Sequence, residues 1–154
     1  IRTKGFIKEV NILNSDSDAL DLDFSNLKIN SIRIESAGND CLDLSYGKYI
    51  INDIKVVNCA DKGISIGEKS NTILKKVEII KSNQAVAVKD SSSVEIIQSK
   101  ILESPICFSA YRKKQEFSGA RIKVIETNCN KEKFYVQKGS EIIFDLWVLE
   151  KKKN

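Results

Sequence analysis

Histidine is absent from the 154-residue chain. Its absence removes the commonest general base, a frequent metal ligand and the side chain that changes charge near neutral pH. It also excludes Ser-His-Asp and thiol-His catalytic sets. There is no Gly-rich phosphate-cradling loop. No apolar run approaches the roughly 18 residues of a membrane-spanning helix, so a soluble unit without a membrane span is expected. The amino end, Ile1-Arg2-Thr3-Lys4, lacks the features of a signal peptide and an initiator methionine. A segment processed or excised from a longer protein is therefore expected. Cys41, Cys59, Cys107 and Cys129 form no C-x-x-C pair and match no zinc spacing. They are expected to be mostly buried free thiols, although a secreted setting would allow oxidation.

The length suits one folding unit over residues 1–154. Net charge is +4, from 25 Lys and Arg against 21 Asp and Glu. Such a mild excess permits a polyanionic partner and is equally consistent with a mixed solvated surface.

The strongest signal is an internal repeat. An apolar column at Ile12 recurs at Ile34, Val56, Ile79, Ile101 and Val124, at intervals of 22, 22, 23, 22 and 23 residues. Apolar pairs recur in step: Leu20 and Leu22, Leu42 and Leu44, Ile64 and Ile66, Val86 and Val88, Ile106 and Phe108, Phe134 and Val136. One residue separates the members of each pair, as in a strand facing two side chains one way. A third column, Ile7, Ile29, Ile51, Leu74 and Ile96, completes three short strands per repeat. The expected fold is all-β: a single-stranded, right-handed parallel β-helix of about six rungs, over about residues 6–145. Helical repeats fail because the period is two, Ile and Val dominate, and Asn, Asp, Ser and Gly break the segments. A leucine-rich repeat would show a Leu-dominated frame with a fixed Asn. Two segments break the regularity. Residues 109–120 are longer than the corresponding turns and are expected to protrude as a loop. Residues 146–154, with Trp147, Val148 and Leu149, are expected to cap the core or lead into another domain.

Gly38-Asn39-Asp40-Cys41-Leu42-Asp43-Leu44 and, one rung on, Asp61-Lys62-Gly63-Ile64-Ser65-Ile66-Gly67-Glu68-Lys69-Ser70 resemble repeats of the pectate-lyase-like parallel β-helix superfamily. The chain is also similar to β-helix segments of uncharacterised bacterial surface proteins, some with a domain like the spore-coat protein H kinases. The resemblance implies this fold and a secreted or cell-surface location. The same strings resemble polygalacturonase motifs, with Asp40 matching one catalytic carboxylate. Asn39 stands where the second would be, and Lys62 replaces the family's His. An inverting glycosidase needs both carboxylates, so this chemistry is not expected.

Three groups of residues are candidates for function. Asp21 and Asp43 should stack on adjacent rungs in an outward ladder continued by Ser65, Ala87, Cys107 and Tyr135, with Asp16, Asp18, Asp23 and Asp40 nearby. Like charges so placed invite a neutralising ion, and oxygen-rich clusters suit Ca²⁺; Asp18, Asp21, Asp40 and Asp43 are the candidate ligands. The alternative is a set of solvated turns with Asp40 paired to Lys62. A second ladder, Asn11, Arg33, Lys55, Glu78, Lys100 and Lys123, reads as a mostly basic stripe flanked by Lys8, Lys75 and Lys76. Arg33, Lys55, Lys100 and Lys123, with Tyr111 and Lys113, are candidates to bind an acidic polysaccharide; the alternative is a charged solvated wall. Nucleic acid is not expected, because no stacking aromatics interleave with the stripe. Finally, Tyr111 and Arg112 in the long segment, with Lys89 on the wall, offer residue types that serve as base or cation in a uronate lyase or C5-epimerase. The expected function is a non-catalytic scaffold or carbohydrate-binding module, or one that docks a neighbouring domain of the parent chain. Lyase or epimerase action on an acidic polysaccharide is the alternative.

Overall fold

A computed structural model describes residues 3–145. Trp147 and the rest of the expected C-terminal cap lie outside the described residues. The described residues form eleven strands: β1 (Thr3–Ser15), β2 (Leu20–Asp23), β3 (Ser25–Ala37), β4 (Leu42–Ser45), β5 (Lys48–Gly67), β6 (Asn71–Lys89), β7 (Ser93–Leu102), β8 (Ile106–Tyr111), β9 (Arg121–Thr127), β10 (Phe134–Val136) and β11 (Glu141–Phe144). Every pairing is parallel. The result is a parallel β-helix of about six turns with a period of about 22 residues. Among the described residues no helix is long and apolar enough to cross a membrane.

Each turn has three walls. Face A carries the column Ile7, Ile29, Ile51, Leu74, Ile96, Val124 and Phe144. Face B carries Ile12, Ile34, Val56, Ile79 and Ile101, and face C carries Leu20, Leu42, Ile64, Val86, Phe108 and Phe134. All three columns point into one core whose middle rungs are fully enclosed, with Ile51, Val56 and Ile64 each 0% exposed. β-branched side chains suit this setting because they pack well on a pleated, enclosed surface. The walls meet at corners that repeat with the rung. Asn14, Ser36, Asn58, Lys81 and Glu103 hold the left-handed conformation between faces B and C. Phe24, Tyr46, Lys69 and Ser91 do so between faces C and A. Between faces A and B, Asn52 donates to Asn30 at 3.2 Å, an amide ladder that fills the gap where backbone pairing lapses.

Four expectations are corrected. First, the cysteines are not free: Cys41 bonds to Cys59 and Cys107 to Cys129, and both bridges staple consecutive rungs near the corner between faces B and C. Second, Val124 belongs to the Ile7 column, because residues 112–120 add length before β9 and shift the last rung. Third, the face C pair of β8 is Phe108 and Ala110, not Ile106 and Phe108, so Ser109 rather than Cys107 stands in the ladder with Asp21 and Asp43. Fourth, Lys123 aligns with Glu95 on face A and is not part of the face B stripe.

The last rung also leaves face B early. After Thr127 the side chain of Asn128 replaces a strand: its Oδ1 accepts from the Ile101 N–H at 2.8 Å, and its Nδ2 donates to the Ile101 carbonyl at 3.2 Å.

Candidate functional site

Two walls carry charge in ladders. On face B, Asn11, Arg33, Lys55, Glu78 and Lys100 stand in register on successive rungs, their side chains alternating with core residues and so pointing outward. Each cation there has an acid. Arg33 bonds Asp53 at 2.6 Å, while Glu78 takes Lys55 at 3.4 Å on one side and Lys100 at 3.6 Å on the other. The ladder borders a groove of about 460 Å³ that runs from Arg33 and Asp53 past Lys76 and Gln98 to Glu126 and Asn128, where the chain departs from the wall. No aromatic ring lines it.

Face C is different. Its outward column Asp21, Asp43, Ser65, Ala87, Ser109, Tyr135 starts acidic and then becomes small, and Ser65, Ala87 and Ser109 are buried although they point away from the core. Neighbouring long side chains lie over them. Lys89, itself 6% exposed, donates from Nζ to Ser65 Oγ at 2.9 Å. Its stem crosses Gly67, where a Cβ would lie 2.9 Å from Lys89 Cε, so a larger residue there would require the lysine side chain to shift. Ser109 Oγ donates to Gln84 Oε1 at 2.7 Å. Lys62 bonds Asp61 and sits 3.4 Å from Asp40 Oδ1, which also accepts the Lys62 backbone N–H at 3.0 Å.

Burial raises the pKa of Asp40 against the opposing pull of Lys62. Burial also pushes Asp61 upward, but the hydrogen bond and charge of Lys62 outweigh it and hold Asp61 below the ordinary carboxylate value. Burial raises the Tyr111 phenol, opposed by Lys62 and reinforced by Asp61, Asp40 and Asp90, so at neutral pH it is a proton donor rather than a base. Asp21 is raised by burial and then by its like-charged neighbours Asp23, Asp43 and Asp18.

The long segment, expected over residues 109–120, starts later than that, because Ser109, Ala110 and Tyr111 belong to β8 and the first two are buried; the chain leaves the wall after Tyr111 and is tied back to it. Asp90 Oδ1 accepts the N–H groups of Lys113 and Lys114 at 2.7 and 2.8 Å, and Lys114 Nζ pairs with Glu68 at 2.7 Å. Glu68 in turn accepts from Ser45 Oγ at 2.7 Å. Phe117 meets Tyr46 edge-on at 6.5 Å under the Lys69 ammonium.

On face C the structure thus brings Tyr111 and Lys89 within electrostatic range of Lys62, Asp40 and Asp61, a partly buried group. Arg112 instead faces rung six, where its N–H meets Gln137 Oε1 at 2.6 Å, and Lys113 is held through its backbone. Arg33, Lys55 and Lys100 share face B; Lys123 pairs with Glu95 at 2.9 Å elsewhere. Asp18, Asp21, Asp40 and Asp43 share the amino-terminal end of face C. Among the described residues no group of three or more His, Cys, Asp or Glu side chains is gathered so as to hold a metal ion. Asp18 Oδ1 accepts instead from Asn39 Nδ2 and the Asp40 N–H, at 2.7 and 3.0 Å. Sequence reading passed over Gln84 and gave Asp61 and Glu68 no role of their own, while Lys114 was read only as a cation of the long segment and not as the partner of Glu68. The signal for a covered wall was the run of small residues Ser65, Ala87 and Ser109 at outward positions, where solvated walls carry long polar side chains.

Compared with known proteins, the chain matches no family model, no curated protein sequence and no solved structure.

Proposed function

We propose that the chain is a rigid, non-catalytic β-helix module of a secreted or cell-surface bacterial protein, and that face B binds an acidic carbohydrate. The observation that carries this reading is the face B groove, about 460 Å³ in volume and lined by Arg33, Lys55, Lys76 and Lys100 among hydrogen-bonding partners. Charged and amide side chains at regular rung spacing suit a repeating, hydroxyl-rich anion. The lack of aromatic lining disfavours neutral sugars and nucleobases, which depend on stacking. Two disulfides fit an oxidising compartment. The resemblance to pectate-lyase-like repeats supports the same ligand class.

The lyase or epimerase reading draws on one observation, the gathering of Tyr111, Lys62, Asp40 and Asp61 on face C. Against it stand a phenol held protonated and a Lys89 ammonium engaged with Ser65. Calorimetric titration with polygalacturonate, alginate and dextran, while following the ultraviolet absorbance of unsaturated uronates, separates the readings. Binding of the acidic polymers without product is the expected result. Product formation that vanishes in Tyr111→Phe would replace the module with an enzyme. Silence toward every polymer would leave a neighbouring domain of the parent chain as the partner for this wall.

A further inference from the structure

We propose that Glu78 is a built-in competitor for the anionic ligand of the face B groove, occupying Lys55 and Lys100 until a ligand carboxylate displaces it. The proposal rests on the reading of face B as a carbohydrate-binding wall and adds the residue that sets its threshold. Lys55, Glu78 and Lys100 are direct register neighbours on three consecutive rungs, so the carboxylate lies midway between two ammonium groups. Two rungs span about 9.6 Å at the spacing of stacked strands. Glu78 divides its oxygens, with Oε2 3.4 Å from Lys55 and Oε1 3.6 Å from Lys100.

Both separations exceed ordinary charge-assisted hydrogen-bond lengths of about 2.7–2.9 Å. The Arg33–Asp53 pair beside it closes to 2.6 Å. Arg33 is thus engaged by a well-formed partner, whereas the two lysines share one carboxylate at a distance. Their side chains are 45% and 60% exposed. Exposed pairs of this kind contribute little stability, and breaking them costs correspondingly little. A ligand carboxylate arriving in the groove finds a position already shaped for an anion and held by the protein's own.

The competition predicts a mutation that improves binding. Glu78→Gln should bind polygalacturonate roughly three- to tenfold more tightly than the native chain, with a steeper loss of affinity as salt rises. Lys55→Gln/Lys100→Gln should lose at least about tenfold. Glu141→Gln, which removes an exposed acid paired with Arg121 on face A, makes the same change in net charge away from the groove and should leave affinity unaltered. Binding by Glu78→Gln where the native chain is silent would also support the competition. If Glu141→Gln gains as much as Glu78→Gln, net charge is the cause and the proposal fails. If the native chain binds and Glu78→Gln binds no better, the competitor role fails while the carbohydrate reading stands. If neither protein binds polygalacturonate, both fall together.

Discussion

Faces B and C are built from the same kinds of residue at the same rung spacing, and they treat charge in opposite ways. On face B the ion pairs lie in water: Arg33 and Asp53 side chains are 39% and 37% exposed. On face C the pair of Lys62 with Asp40 is enclosed, at 13% and 5%. A charge in water interacts weakly and can be exchanged for another, whereas a charge withdrawn from water depends on its partner. Exchangeable charge is what a binding wall needs. Enclosed charge organises the wall itself, here by tying rung to rung through Lys62, Lys89 and their acceptors.

The sharpest way to break the contrast is to remove one partner on each wall. Lys62→Met should lower unfolding free energy by about 3 kcal/mol at neutral pH, the lower end for a buried pair, because Asp40 is left charged and enclosed. Chemical denaturation read by circular dichroism checks this, and a loss below about 1 kcal/mol would place face C in the same class as face B. The loss should shrink on acidification, since burial already favours the protonated form of Asp40. Replacing Cys41 and Cys59 together by Ser, which opens a bridge of sequence separation 18 between the two walls, should cost about 3 kcal/mol in the same assay.

The pH profile distinguishes groups within face C by sign. Asp40 and Asp21 have raised folded pKa values, so their ionisation opposes folding, and stability rises as pH falls through those values. Asp61 and Glu68 have lowered folded values, so the stability they contribute is present above their unfolded values near 3.8 and 4.5 and is lost as pH falls further. Mild acid should therefore stabilise first and destabilise later. A monotonic decline from neutrality would contradict the shift assigned to Asp40.

Smaller effects belong to the exposed groups. Arg33→Ala should cost less than about 1 kcal/mol, with the difference from the native chain shrinking in 1 M salt. Asp21→Asn should raise the denaturation midpoint slightly by relieving repulsion within the Asp18, Asp21, Asp23 and Asp43 group. A fall would mean that Asp21 holds a neutralising partner.

The solenoid was legible because alternation and a long period leave a trace in one dimension: Ile29, Ile51 and Leu74 announce their stacking by spacing alone. Where two registers satisfied the same alternation, as with Ile106-Cys107-Phe108 and Phe108-Ser109-Ala110, spacing did not decide between them. Pairing with Val86 and Val88 did. Lys123 went astray because the added length of residues 112–120 moves every later residue to another wall. The stripe on face B was legible as a column, but its neutralisation was not. Arg33 finds Asp53 diagonally across rungs, a relation that depends on side-chain reach. The cysteine pairing was equally hidden, since 18 and 22 residues of separation become neighbours only once the rungs stack.

Those two bridges also bear on force. A solenoid pulled from its ends sheds rungs one after another, because each is held only by its neighbours. The covalent loops closed by Cys41–Cys59 and Cys107–Cys129 contain chain that tension cannot draw out, roughly 60 and 75 Å of contour at about 3.4 Å per residue. Under load the solenoid would thus lengthen in limited steps, and the oxidation state of its cysteines would set how far it can stretch.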